Sequence, residues 1–307
     1  MFPRPDIRAK VESLASQNVF IGTSSWKYLG WCGQIYDEQR YLTRNKFSEK
    51  KFNETCLSEY AEVFKTVCVD AGYYKFPDER YLEKLTSQVP SDFRFSFKVT
   101  DVITLKQFPN LPRHGSHAGQ VNRNFLNADL FQSAFLHPCH SFKSKIGVLM
   151  FEFSQFHKYE FEHGRDFVAA LKTFLSKLPR DWQFGVEIRN KTFLRDEYFA
   201  VLREYGVAHV FNSWSRMPPV KEQMEITGSE TTDFVAARFL LTPGQTYDKA
   251  VASFSPYTET KAVDPGARKA GRDLIQKAAV SSKRPSFIYV NNRLEGNALK
   301  TIAAMTA

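Results

Sequence analysis

Short runs of apolar, β-branched and aromatic residues recur along the chain, and longer segments with apolar residues at helical spacing separate them. This alternation is typical of repeated strand–helix units in a parallel sheet. The eight runs are VFIGTSSW (19–26), TVCVDAGYY (66–74), FRFSFKV (93–99), IGVLMFEF (146–153), FGVEIRN (184–190), AHVFNSW (208–214), DFVAARFL (233–240) and SFIYVNN (286–292). Eight strands are the number that closes a (β/α)8 barrel of the TIM type, so the pattern predicts that α/β fold.

The segments between these runs predict helices and two long loops. Helices are expected at residues 54–65, 78–88, 125–136, 165–177, 196–205, 267–281 and 297–304. Residues 215–232 contain Pro218, Pro219 and Gly228 and are predicted to form a loop instead. Long insertions at 27–53 and 100–124 follow the first and third strands, so in a barrel they cover its C-terminal face. We expect residues 1–307 to form one domain with its core at about 19–304.

Composition narrows the class of protein. Of the 307 residues, 43% are hydrophobic and 28 are Phe, enough for a large core. The formal net charge of +9 favours anionic partners, namely phosphorylated metabolites or nucleic acid. No stretch has the pattern of a signal peptide or a membrane span, and the four cysteines form no CxxC pair, so we expect a cytoplasmic protein without membrane contact. Nothing in the sequence indicates the oligomeric state.

Strand alternation predicts a cluster of charged side chains inside the barrel mouth. In FGVEIRN, Val186 and Ile188 share the face that meets the outer helices, which directs Glu187 and Arg189 towards the barrel axis. The same alternation in the other runs places three further charged residues inward: Lys98, Glu152 and Arg238. Four polar residues are expected close by: Asp70, Tyr73, Asn291 and Asn292. Because the strands are parallel, all of these side chains converge at one rim.

Such a rim has two interpretations. In an enzyme, Glu187 is the first candidate for general base or acid and Glu152 its partner, while Lys98, Arg189 and Arg238 bind an anionic group. Hydrolysis of a phosphorylated or glycosidic substrate fits that arrangement. In the second interpretation the charges only pair with one another as a structural network. A protein without catalytic activity that binds nucleic acid or another anionic ligand is the alternative function.

Aromatic and histidine residues add weaker candidates. Trp26, Tyr28, Trp31, Tyr73 and Trp214 either form a stacking surface for a sugar ring or base, or pack beneath a loop. The histidine pairs at 114 and 117 and at 137 and 140 have metal-like spacing but no carboxylate set placed with them. We therefore expect no metal and no cofactor.

Several ordered motifs resemble one known family. They are GTSSWKYLGW (22–31), YYKFP (73–77), FRFSFKV (93–99), VEIR (186–189) and YVNN (289–292). In this order they resemble the YecE-like family, domain of unknown function 72, over most of the chain. The resemblance implies a TIM-type barrel and no established reaction. The chain departs from the family pattern where Cys68 replaces a Glu, Asp70 an Asn, Glu152 a Gln and Leu240 a His, which suggests a divergent member.

Overall fold

Eight parallel strands close into a barrel in this structure, a computed structural model that describes residues 2–280 and 284–307. Around the barrel the strand order is β1-β10-β9-β8-β7-β6-β5-β4, and β2 and β3 form a separate antiparallel hairpin. The strands are β1 Val19–Ser24, β2 Leu42–Thr43, β3 Lys46–Phe47, β4 Thr66–Val69, β5 Arg94–Lys98, β6 Ile146–Phe153, β7 Phe184–Ile188, β8 Ala208–Ser213, β9 Val235–Phe239 and β10 Ser286–Val290. The predicted (β/α)8 barrel is confirmed.

Helices alternate with the barrel strands. They are α1 Arg4–Ser16, α2 Glu49–Tyr60, α3 Glu79–Thr86, α4 Asp101–Thr104, α5 Ala128–Leu130, α6 His137–Cys139, α7 Gly164–Leu175, α8 Asp196–Tyr205, α9 Val220–Glu225, α10 Tyr247–Phe254, α11 Pro265–Val280 and α12 Ala298–Met305. A π-helical segment, Phe131–Leu136, joins α5 to α6, and a 3-10 turn, Asp70–Tyr73, follows β4. No helix in the described part of the chain is both long and apolar enough to cross a membrane.

Tertiary contacts change some helix predictions. The loop predicted at 215–232 is wrong in its centre, where α9 forms because the buried Gln223 side chain donates 2.6 Å hydrogen bonds to the carbonyls of Asn212 and Pro218. Helix α2 begins five residues before the predicted 54, since the Ser48 hydroxyl accepts a hydrogen bond from the Lys51 N–H and caps it. Residue 281, the end of the predicted helix 267–281, lies outside the described residues.

The first and last thirds of the chain contain helices that periodicity does not predict. Helix α1 buries only Ile7 and Val11, so its apolar stripe is too sparse to read from the sequence. Helix α10 lies between β9 and α11 and buries Ala250 and Phe254. Both are held by contacts with the barrel rather than by a strong sequence signal.

The barrel interior is a packed core with a polar upper layer. Phe20, Met150, Val210 and Phe287 belong to the inner apolar cluster, and Val186 belongs to the cluster between strands and helices. Below the mouth, the Tyr289 hydroxyl donates a 2.6 Å hydrogen bond to the Ser96 hydroxyl and lies 2.9 Å from that of Thr66. These bonds join β10 to β4 and β5 across the barrel and form a closed floor beneath the charged residues. We call this layer the Tyr289 floor.

Candidate functional site

The charged residues predicted to face inward meet at the C-terminal ends of neighbouring strands. Lys98 is the last residue of β5, Glu152 and Glu187 stand near the ends of β6 and β7, and Arg238 stands near the end of β9. Glu152 is paired with Glu187 in the strand register, so the two carboxylates stand side by side. With Arg189 and Asp70, these residues form what we call the mouth network, whose members are Asp70, Lys98, Glu152, Glu187, Arg189 and Arg238.

Arg238 lies at the centre of the mouth network. Its Nη1 lies 2.6 Å from Glu187 Oε2 and 3.0 Å from Glu152 Oε2, and its Nη2 lies 3.3 Å from Asp70 Oδ1. Each contact joins a different strand or turn to β9. One guanidinium group therefore holds three carboxylates in fixed positions.

The other two cations close the network on the solvent side. Arg189 Nη2 lies 2.9 Å from Glu152 Oε1 and 3.2 Å from Glu187 Oε1, and its guanidinium carbon lies 3.6 Å from the centre of the Trp214 ring. Lys98 Nζ lies 2.7 Å from Glu152 Oε2 and 4.0 Å from the centre of the Tyr73 ring. The aromatic faces hold both cations by cation–π contact. These two contacts place Tyr73 and Trp214 within the site.

The mouth network has three cations and three carboxylates, which govern the pKa values of its members. Burial alone raises the pKa of Glu152, but Arg189, Lys98 and Arg238 outweigh it and hold that pKa well below its usual range. Burial opposes the charged form of Arg238, but Glu187 and its neighbours raise its pKa well above the ordinary value. Glu152 is therefore ionised in this arrangement.

Cys68, which lies beneath Asp70, is not a prepared nucleophile. Burial raises the pKa of its thiol to about 12, although the charge of Arg238 acts in the opposite direction. Its Sγ lies 4.0 Å from Asp70 Oδ1. The thiolate that nucleophilic attack requires is therefore scarce at neutral pH.

Exposure increases from the centre of the network towards solvent. The side chain of Glu187 is 0% exposed and that of Arg238 is 3% exposed, whereas Arg189 is 10% and Lys98 is 11% exposed. Asp70 is the most open member at 30%. A ligand that enters from solvent therefore meets Asp70, Lys98 and Arg189 before the buried glutamate.

Buried polar atoms without partners lie along one side of the network, on four consecutive strands of the barrel. Within residues 2–280 and 284–307, no hydrogen-bond partner is found for Ser24 Oγ, Asn212 Oδ1, Arg238 Nε or Asn291 Nδ2. These residues belong to β1, β8, β9 and the end of β10, and alternation directs each one inward above the apolar core. A buried polar group without a partner costs about 1–3 kcal/mol, so several on one rim indicate a site for water or a ligand.

A cleft of about 410 Å³ opens beside the mouth. It lies between the loops that follow β5 and β6, and its walls include Lys106, Gln107, Ser154, His157 and Tyr159. No member of the mouth network lines it. Ser154 connects the cleft to the network. Its side chain is hydrogen-bonded to Tyr73, and the Tyr73 ring in turn contacts Lys98.

The remaining predicted residues lie around the mouth in different roles. Trp26 and Trp31 are buried in the hydrophobic core, and Tyr28 packs on Trp31 with ring centres 4.7 Å apart. Asn292 Oδ1 accepts a 2.8 Å hydrogen bond from the Ala298 N–H and so fixes the turn before α12. A ligand-binding role for Trp26 or Asn292 stays a prediction. Among the described residues, no group of three or more His, Cys, Asp or Glu side chains is arranged to hold a metal ion.

Sequence reasoning missed Arg293, which stands three residues after β10. It stands two residues after Asn291, whose inward direction was available from the sequence, but it lies in the turn that follows the strand. Its guanidinium carbon lies 4.6 Å from the centre of the Tyr247 ring. The residue lies past the strand end, where alternation is a weaker guide.

Comparison with known protein families identifies the family of this chain. A family model described as "Protein of unknown function DUF72" matches residues 20–307. The chain belongs to the DUF72 family. The resemblance to the YecE-like family is thereby confirmed, since the two are one family. None of the curated proteins matches the chain.

Solved DUF72 structures share the fold. A DUF72 family protein from Enterococcus faecalis V583 superposes with a TM-score of 0.61 at 17% identity, over 94% of this chain and 95% of that one. A DUF72 family protein from Thermotoga maritima MSB8 gives a TM-score of 0.59 at 17% identity, over 94% and 97% of the two chains. At this identity the likeness supports the barrel alone.

Proposed function

We propose that the barrel mouth binds a small anionic substrate and hydrolyses it, with a phosphate ester as the favoured class. The observation that carries the proposal is the set of buried polar atoms without partners along one side of the mouth network. In a TIM barrel the C-terminal face is where active sites form. Ligand oxygens and hydroxyl groups would supply the partners that Ser24, Asn212, Arg238 and Asn291 lack among the described residues.

Lys98 and Arg189 are the cations that bind the anionic group. They are the more exposed cations of the mouth network, and each already rests on an aromatic ring. An incoming phosphate competes with Glu152 for both of them. Arg238 remains with Glu187 at 2.6 Å, because it is buried beneath them.

This competition separates the roles of the two glutamates. When the ligand draws Lys98 and Arg189 away, Glu152 loses two of the three charges that lower its pKa, and that pKa rises. Glu152 then takes up a proton from solvent and donates it to the leaving group. Glu187 keeps its contact with Arg238 and, as a carboxylate, activates the attacking water. The two carboxylates thereby acquire the different protonation states that acid–base catalysis requires.

The bridged carboxylates favour a phosphate ester over a glycosidic bond. Oxygens of Glu152 and Glu187 share Arg238 Nη1 at 3.0 and 2.6 Å and share Arg189 Nη2 at 2.9 and 3.2 Å. A glycosidase places the scissile bond between its two carboxylates. Here guanidinium groups occupy that space, whereas a phosphate binds to them directly.

A thermal-shift screen with sugar phosphates, nucleotides and oligonucleotides tests the binding proposal. We expect sugar phosphates or nucleotides to raise the melting temperature, because a ligand that binds only the folded state stabilises it. Stabilisation by oligonucleotides alone, with a steep dependence on salt, would instead support the nucleic-acid alternative. No stabilisation by any of these compounds at low ionic strength would reject the proposed site.

The catalytic roles are tested on any ester that the screen finds. Phosphate release by the wild-type protein is compared with release by E187Q and E152Q, each of which keeps the side-chain shape but cannot carry the charge. We expect each variant to lose at least about a hundredfold in rate, the usual contribution of a general base or acid. The control is E225Q, which alters an exposed residue of α9. Full activity in E187Q and E152Q would refute the roles while leaving binding intact.

A further inference from the structure

Arg293 lies at the same mouth, on the side formed by β1 and β10. Its guanidinium carbon lies 4.6 Å from the centre of the Tyr247 ring. It also contacts the Tyr257 side chain, whose pKa is raised by burial and held back by the Arg293 charge. Tyr257 packs edge-on against Tyr28, with ring centres 5.6 Å apart. Two tyrosines therefore contact Arg293, and a third, Tyr28, packs against one of them.

Arg293 is paired differently from the cations of the mouth network. Lys98, Arg189 and Arg238 each bind at least one carboxylate within 3.0 Å. For Arg293, the described residues provide no carboxylate partner, and its Nε is buried without a hydrogen bond. A partly exposed guanidinium group that lacks a counter-charge is prepared to bind an anion.

Asn291 adds a second donor without a partner in the described residues, two residues before Arg293. This donor is the Nδ2 of Asn291, a side chain that is 1% exposed. Asn291 Oδ1 accepts a 3.0 Å hydrogen bond from the Arg293 N–H, which ties the two residues together. Tyr247, 47% exposed, provides an open aromatic edge beside them.

The Arg293 side adjoins the mouth network through Tyr28. Burial raises the pKa of Tyr28 well above its usual range, Arg293 opposes that rise, and Asp70 adds to it. Arg293 and Asp70, a member of the mouth network, therefore both influence the pKa of Tyr28. Both sites lie at the C-terminal ends of adjacent strands, since β10 pairs with β9, which carries Arg238.

We infer that Arg293 and Asn291 form a second anion subsite, which anchors a phosphate or carboxylate of the substrate that does not react. The substrate would then carry two anionic groups, one at Lys98 and Arg189 and one at Arg293. Binding energy from such a remote group can position the reacting group. The inference rests on the proposed function and adds the substrate class.

Matched ligand pairs test the second subsite. The probes are fructose 6-phosphate against fructose 1,6-bisphosphate, and glucose 6-phosphate against 6-phosphogluconate, with affinities measured by calorimetry. We expect the wild-type protein to bind the doubly anionic member of at least one pair roughly tenfold to a hundredfold more tightly, as for a charged hydrogen-bonded contact. The first pair reports a second phosphate and the second pair a carboxylate.

Variants of Arg293 identify the group responsible. R293Q is expected to bind both members of the pair equally, whereas R293K, which keeps the charge without the planar fork, retains part of the preference. The matched control is R180Q. Arg180 also lies 4.6 Å from a tyrosine ring centre, that of Tyr205, but it stands in the turn before β7, at the opposite end of the barrel.

Each outcome separates the inference from the proposed function. An unchanged preference in R293Q, or equal binding of both members by the wild-type protein, overturns the second subsite while the proposed function stands. Binding of none of the four probes by the wild-type protein counts against the proposed function and the inference together. Loss of the preference in R293Q but not in R180Q supports the second subsite.

Discussion

Among the buried glutamates of the described residues, Glu295 and Glu187 stand in clusters whose hydrogen-bond donors differ. Glu295 binds Arg268 at 2.8 Å, accepts 2.7 Å hydrogen bonds from the Thr301 hydroxyl and the Asp264 N–H, and is 0% exposed. Glu187 is equally buried, but its partners are the side chains of Arg189 and Arg238. One glutamate is held partly by backbone that the fold fixes, and the other only by charged side chains.

This difference distinguishes a structural cluster from a candidate active site. Glu295 joins the start of α11 to the segment before α12 through the Asp264 N–H and the Thr301 hydroxyl, and Arg268, 21% exposed, is its charged partner. The mouth network contains Lys98 and Arg189, side chains that can exchange one anion for another. Charge burial alone therefore does not mark a functional site. The type of donor separates these two clusters.

The largest expected effect is that of R238M on stability. This change leaves Glu187, Glu152 and Asp70 without their shared partner, and breaking a buried ion pair costs about 3–5 kcal/mol. The free energy of unfolding in urea measures the loss. A loss below about 1 kcal/mol would mean that the carboxylates find other partners, and the network would then not be a unit.

A smaller loss of stability is expected for E295Q. The amide keeps one acceptor oxygen but loses the charge that binds Arg268, so we expect a loss of about 2 kcal/mol, within the range for hydrogen bonds to charged groups. Affinity for any ligand found by the screen should stay within twofold of wild type. Weaker ligand binding by E295Q would mean that the Glu295 cluster is not purely structural and that the two clusters do not differ in role.

Acid should weaken the fold partly through Glu152. Its pKa is lower in the folded protein than in an unfolded chain, so its stabilising contribution is complete above the ordinary carboxyl pKa of about 4.3. That contribution is lost as the pH falls from there towards the folded-state value. Unfolding in urea between about pH 5 and pH 2 should therefore show a smaller pH dependence for E152Q than for wild type. The same slope in both proteins would contradict the low pKa.

The smallest stability change is expected for K98M. Glu152 keeps Arg189 and Arg238 when Lys98 is removed, so the cost should be about 1 kcal/mol, as for one ordinary hydrogen bond. Ligand affinity should fall about tenfold or more if Lys98 binds the anion. A large loss of stability together with unchanged affinity would assign Lys98 to the structure instead.

Strand alternation predicted the centre of the site because the barrel strands are regular. The inward direction of Glu187 follows from the apolar residues on either side of it, and that of Lys98, Glu152 and Arg238 follows in the same way. The pairing among them did not follow, because it depends on register and strand order. Glu152 meets Arg238 only because β6 and β9 close into one ring.

Regions outside the strands were predicted less well for physical reasons. Helix α9 is stabilised by Gln223 contacts that only the folded chain provides. Trp26 stands just after β1, so the sequence predicts an aromatic residue at the barrel rim. In the structure the neighbouring loop buries it, and its backbone carbonyl accepts a 2.5 Å hydrogen bond from the Tyr36 hydroxyl. Loop conformation decides whether an aromatic residue meets solvent or the core, and no short-range pattern encodes it.

The Tyr289 floor determines by which route a ligand can enter and leave the barrel. The Tyr289 hydroxyl joins the Ser96 and Thr66 hydroxyls across the interior, and apolar side chains pack below them. The barrel interior is therefore closed below the mouth. Whatever enters between the loops must leave between them. In the proposed hydrolase, water, substrate and both products would therefore use the same opening. The first product must leave before the next substrate can bind.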